Sequence, residues 1–237
     1  MKILLAALGL AAFSTAAIAA KPPPKTVSDD PMQASSWEIG PVTPTKNYSV
    51  GLPLNPSPHP NGGWYFDIPN PTADAGHVHY LTFKHGSLSG KTRIVLRYRL
   101  EMAEGDQLVP TKEQPNTYLS MLTMYFQRRG DNWSGRGEYE AYRWWASFAT
   151  VIPVTRGEHE LSVPLDGNWT AVVTSTAENN PKAFRAAIRD AERVGFTFGG
   201  GDGLGHGVYA TGPARFVVTS FQVLSDTDFG VREAPGS

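Results

Sequence analysis

TRIVLRYRLEM, residues Thr92–Met102, decides the fold class. Ile94, Leu96, Tyr98, Leu100 and Met102 alternate with Arg93, Val95, Arg97, Arg99 and Glu101, so one face is apolar and the other mostly charged. Side chains that alternate in this way belong to a β-strand with one face on a core and one in water, a pattern typical of antiparallel sheets. In YLSMLTMYF (Tyr118–Phe126) both sets of alternating positions are largely apolar. This strand is therefore either central or covers its second face with a groove.

Shorter strand candidates surround these two: His77–Phe83, Tyr139–Phe148, His159–Leu165, Thr170–Thr176, Val194–Phe198 and Arg215–Leu224, with turn residues such as Ser89-Gly90, Gly130-Asp131, Arg156-Gly157 and Asp166-Gly167 between them. One helix is predicted, Pro181–Arg193, with Asn180 as N-cap, Pro181 at the first position, and Phe184, Ala187, Ile188 and Ala191 on one face. About eight strands with one helix predict an all-β fold: a two-sheet antiparallel β-sandwich, or jelly roll, over residues 37–224, with the single helix near 181–193.

The flanks differ in composition. MKILLAALGLAAFSTAAIAA (residues 1–20) combines Lys2, an apolar run and small residues at its end, the pattern of a cleaved secretory signal of bacterial type. Residues 21–36 read as a flexible, proline-rich leader, and residues 225–237 as a polar tail. A second proline cluster, PLNPSPHPNGG (Pro53–Gly63), is excluded from a central strand because proline removes ladder donors. The expected product is an exported protein, periplasmic or extracellular, with no later apolar run long enough to span a membrane.

The 237 residues contain no cysteine, so neither disulfides nor a lipidated cysteine are available, and stability rests on the core. Lys and Arg (21) balance Asp and Glu (22), which argues against nucleic acid or another polyanion as the general partner.

Several stretches then follow in order: Leu88-Ser-Gly-Lys91, the arginine-striped strand, a Trp-rich segment, His159-Glu-Leu-Ser-Val-Pro-Leu165 before Trp169, Val194-Gly-Phe-Thr-Phe-Gly199, and Ala214-Arg-Phe-Val-Val-Thr-Ser-Phe-Gln-Val223. This order resembles the galactose-binding-like jelly rolls of many non-catalytic carbohydrate-binding modules, over roughly Trp64–Leu224. The resemblance is one of strand order and apolar pattern, and it implies sugar binding by analogy. Thr219 and Ser220 stand beside Phe221 where those modules often carry an acidic residue, so the resemblance does not extend to their calcium site.

The Trp-rich segment, DNWSGRGEYEAYRWW (Asp131–Trp145), is the main candidate for binding. Strand parity places Tyr142 and Trp144 inward, and Tyr139, Arg143 and Trp145 outward as an exposed platform, with Trp133 exposed in the preceding loop. An indole face can stack on a sugar ring while Arg and Tyr bond its hydroxyls. The alternative is that Arg143 stacks on an aromatic neighbour and both strand tryptophans are core.

Gly199-Gly-Gly-Asp-Gly-Leu-Gly-His-Gly207 lacks both the Lys-Ser/Thr of a phosphate loop and a following helix. It reads either as a loop displaying Asp202 and His206 to a ligand or as a crossover packed closely on the sandwich. His77-Val-His79 reads as a packed or hydrogen-bonded pair, not a metal site, because no nearby glutamate completes a ligand set. The sequons at Asn47, Asn132 and Asn168 read as turns. Glu138 and Glu140, at i and i+2 of the expected strand, share a face, and a glycan-active enzyme would require them to converge with Asp202 and His206 in one groove.

The leading expectation is a secreted, non-catalytic sandwich that binds an oligo- or polysaccharide through Trp133, Tyr139, Arg143, Trp145, Asp202 and His206, without cofactor or metal and with oligomeric state left open. A glycan-active enzyme and a structural envelope domain are the alternatives.

Overall fold

A computed structural model describes residues 30–112, 119–172, 175–200 and 203–229. The expected signal segment and most of the expected leader, Tyr118, Asp202 and the end of the tail lie outside the described residues. In chain order the strands are β1 (Trp37–Gly40), β2 (Ser57–Pro58), β3 (Trp64–Ile68), β4 (Tyr80–Lys84), β5 (Arg93–Met102), β6 (Leu108–Pro110) and β7 (Met121–Arg128). There follow β8 (Arg143–Trp145), β9 (Ile152–Pro153), β10 (Gly157–Pro164), β11 (Thr170–Ala171), the helix α1 (Pro181–Arg189), β12 (Ala191–Gly199), β13 (Val208–Ala210) and β14 (Ala214–Leu224).

A seven-stranded sheet runs β1, β4, β12, β7, β8, β11, with β9 added beside β7. A five-stranded sheet runs β10, β5, β14, β3, β2, and β6 pairs with β13 as a ribbon. Every pairing is antiparallel, and β3, β4, β5, β7, β10, β12 and β14 fall alternately in the two sheets. The protein is thus an all-β, two-sheet sandwich of the jelly-roll kind.

Period-two alternation holds along β5. Ile94, Leu96, Tyr98 and Leu100 are buried, while Arg97 and Arg99 face outward and pair with Glu160 (2.6 Å) and Glu101 (2.7 Å). The arginine stripe is therefore largely neutralised within its own sheet face. Between the sheets lie Trp37, Trp64, Phe83, Phe196 and Phe221 at one end and Phe66, Tyr98, Phe198 and Phe216 at the other. Each such ring contributes roughly 1.5–3 kcal/mol on full burial, which is how a chain without disulfides holds together. The indole N–H groups of Trp37 and Trp64 both donate to the carbonyl of Pro31 (2.8 and 3.0 Å). The described end of the leader, from Asp30, is therefore tied to the core; Ala34 and Ser36 are buried.

Three elements differ from expectation. The helix stops at Arg189, and Glu192 and Arg193 belong to β12, because pairing with β4 and β7 captures the segment that helical periodicity would have continued. Asn180 occupies the N-cap position but its amide donates to Ser175 Oγ (3.2 Å), which leaves Pro181 as the local start signal. The presumed strand Tyr139–Phe148 is a 3-10 turn over Gly137–Ala141 followed by only three strand residues, so the parity argument never applied to Tyr139. Near Thr170, a two-residue strand doubles back to bridge Thr170 with Thr176.

Among the described residues, no helix is long and apolar enough to cross a membrane.

Candidate functional site

The outward face of the seven-stranded sheet carries cross-strand rows of polar and aromatic residues. Lys84, Arg193, Gln127 and Arg143 stand opposite one another on β4, β12, β7 and β8. Beside them run Glu38, Thr82, Gly195, Tyr125 and Trp145, and then Tyr80, Thr197 and Thr123. A face of this composition would normally be wet. Here Thr82, Thr123, Tyr125, Gln127, Arg143 and Thr197 are all buried, so β7 has the covered second face that its sequence raised as one of two readings.

The cover begins with the loop between β7 and β8. Asp131 accepts from Arg143 Nε (2.9 Å), Arg143 Nη2 (3.1 Å), Gln127 Nε2 (2.8 Å) and the Trp133 backbone N–H (3.0 Å). Four donors on one buried carboxylate fold the loop back over the sheet. Trp133 is the one non-glycine residue described with positive φ, at 66°. A bulky side chain in the left-handed region is strained, and the Asp131 bond together with the Asn132 Oδ1 bond to Ser134 N–H (2.9 Å) hold it there. Its ring lies 4.0 Å from the Arg143 guanidinium and meets the Tyr80 ring edge-on at 5.1 Å. Trp145 Nε1–H donates to the Tyr80 hydroxyl (3.2 Å), and the Tyr125 hydroxyl bonds Thr82 across Gly195.

Burial raises the pKa of both the Tyr80 and Tyr125 phenols, with Arg143 only partly opposing it. They are neutral hydrogen-bonding groups at ordinary pH and are not poised as bases.

The expected platform is therefore rearranged. Trp144 is core, as parity predicts, and Arg143 and Trp145 do lie on the opposite face. Arg143, however, is only 7% exposed: it is sandwiched under Trp133 and locked to Asp131. Trp133 and Trp145 are half-buried. Tyr139 sits on the 3-10 turn against Tyr142 (5.0 Å), and its pKa is raised chiefly by the Glu138 carboxylate. Glu138 and Glu140 are exposed on the same turn, where three residues per turn put i and i+2 on different faces, so they form no facing pair.

In the glycine-rich loop, Asp202 lies outside the described residues, and His206 is exposed with its pKa lowered by partial burial and by Lys112. The loop packs closely on the sheet. A Cβ on Gly205 would sit 2.0 Å from the Tyr80 hydroxyl, and one on Gly207 2.8 Å from the Val78 carbonyl. His77 Nδ1 and His79 Nδ1 each donate to a backbone carbonyl, Ala73 (2.8 Å) and Gly205 (2.9 Å), with ring centroids 4.7 Å apart. The two rings pack on each other, each hydrogen-bonded to backbone and not to the other. Asn47 and Asn132 both close turns through their side-chain oxygens.

Beside Trp133 a cleft of about 360 Å³ opens on this face, with Gln127 and Arg193 from the sheet as its floor and Thr43, Pro44, Asn132 and Trp133 among its walls. The Gln127 amide donates to Asp131, which fixes its orientation, and its carbonyl oxygen is buried without a hydrogen-bond partner. Sequence reasoning missed Asp131, Gln127, Arg193 and the Val42–Pro44 loop. The available signal for Asp131 was its place opposite Arg143 at the other end of the aromatic run. No signal joined Thr43 to Trp133, because two loops far apart in sequence that line one cleft share no local period. No protein-family model matches the chain, and comparison with curated proteins found no match.

Proposed function

We propose that this protein is an exported, non-catalytic β-sandwich of galactose-binding-like kind that binds carbohydrate in the cleft beside Trp133. The observation that carries the reading is the half-buried Trp133 ring, held in a strained backbone conformation at the wall of a cleft that Thr43, Asn132 and Arg193 also line. Backbone strain held by a hydrogen bond to a buried, fully engaged carboxylate is maintained where the placement of a side chain matters. An aromatic face among a few fixed polar groups suits a sugar, which offers apolar ring hydrogens on one side and hydroxyls at the edge. Arg143 and Asp131 position Trp133, and Trp145 supports Tyr80.

Titration of the mature protein with soluble neutral and acidic glycans, followed by tryptophan fluorescence, tests the proposal. Trp133→Ala should weaken binding by about tenfold or more, equivalent to ~1.4 kcal/mol, while Trp145→Ala should act less. Silence across the whole panel, or equal affinity in Trp133→Ala, would sink it.

A further inference from the structure

A second, smaller groove of about 170 Å³ adjoins the first, lined by Ser35, Glu38, Asn55, Thr82, Lys84 and Arg193. Arg193 is common to both grooves. In the sheet order, Glu38 belongs to β1, Thr82 and Lys84 to β4, Arg193 to β12 and Gln127 to β7, four successive strands. Three interstrand steps of ~4.8 Å make a track of roughly 14 Å. A single sugar ring is too short for that track.

The chemistry along the track is mixed and nearly charge-balanced. Arg143 neutralises Asp131 and Asp190 pairs with Arg128, which leaves Lys84 and Arg193 against Glu38 and Glu192. The Arg193–Glu38 contact is long, 3.5 Å, with both side chains about one-third exposed. Lys84 stands directly opposite Arg193 in the ladder, a like-charge placement that costs stability and presents two cationic donors to the same stretch of groove. The Asn55 amide donates to the Trp37 carbonyl (2.6 Å), which leaves its own carbonyl as an acceptor. The two donors Lys84 and Arg193 are thus flanked by acceptors on Glu38, Asn55 and Glu192, with formal charges in balance, which fits hydroxyls better than a row of anions.

Building on the carbohydrate reading of the Trp133 cleft, we infer that its ligand is an extended neutral oligosaccharide of three or more units. It lies across the strands, with Arg193 between a Trp133 subsite and a Lys84–Asn55 subsite.

The test uses the mature protein, calorimetry, and ladders of one to six units of malto-, cello- and N-acetylated chito-oligosaccharides, with dextran sulfate as the acidic arm. For the ladder that binds, affinity should rise about tenfold between one and four units and then level off. Lys84→Ala should lower tetrasaccharide affinity about threefold to tenfold and leave the shortest binding member unchanged, because it touches only the second groove. Arg193→Gln should weaken both, and unchanged thermal unfolding of the Lys84→Ala protein verifies that it is folded. Affinity independent of length, or a Lys84→Ala effect equal at both lengths or absent at both, overturns the inference while the Trp133 site stands. Binding of dextran sulfate alone, sensitive to Trp133→Ala, does the same. Failure of every sugar to bind overturns both readings.

Discussion

Asp131 and Arg143 are the pair on which the candidate site depends. Their side chains are 2% and 8% exposed, and the carboxylate also serves Gln127 and the Trp133 backbone. Removing one partner of a buried pair leaves an uncompensated charge, so Asp131→Ala should cost roughly 3–5 kcal/mol, read from urea denaturation. Asp131→Ala combined with Arg143→Met should cost clearly less than the two single changes added, since no buried charge then remains. Strict additivity would mean that the two residues do not act as a unit. At this scale the alternation of Arg143, Trp144 and Trp145 was legible, because strand parity is local. Exposure was not legible, because it depends on a loop folding back through a carboxylate twelve residues away.

At the level of elements, the glycine-rich loop tests whether close packing or display explains its composition. Gly205 has φ +84° and no room for a Cβ against Tyr80, whereas Gly130 has φ +79° with open space around it. Gly205→Ala should therefore cost about 2–4 kcal/mol, backbone strain plus overpacking, while Gly130→Ala should cost only ~1–2 kcal/mol from the left-handed backbone. Denaturant midpoints of the two variants decide it, and equal costs would remove the packing term. The same scale shows why α1 ends early: Phe184 packs on Phe126 and Trp144 from its first turns, and beyond Asp190 the chain gains more by completing ladders on both sides. Segment composition predicted that a helix exists there, but its end is a competition decided by neighbours.

For the whole molecule, His79 links the fold to pH. Burial, aided by His77, His206 and Lys46 and opposed by the Gly205 hydrogen bond, lowers its pKa from 6.5 to about 4. The folded state therefore binds fewer protons than the unfolded chain between those values, and stability falls as pH drops through that window. The loss attributable to His79 is roughly 2–4 kcal/mol, complete below about pH 4. Urea unfolding between pH 7 and 4 should show this slope, and His79→Asn should flatten it; an unchanged slope in the variant would assign the effect elsewhere.

Local pattern was enough for a two-sheet antiparallel sandwich with one predicted helix and a core that must work without disulfides. Period-two alternation, turn residues and the lack of cysteine are written into neighbouring positions. Which outward side chains are covered, that Arg143 props Trp133 from beneath, and that Thr43, Gln127 and Arg193 line one cleft beside that ring came from long-range packing alone. Those outcomes depend on hydrogen bonds and loop contacts between segments far apart in the chain, for which local pattern carries no information.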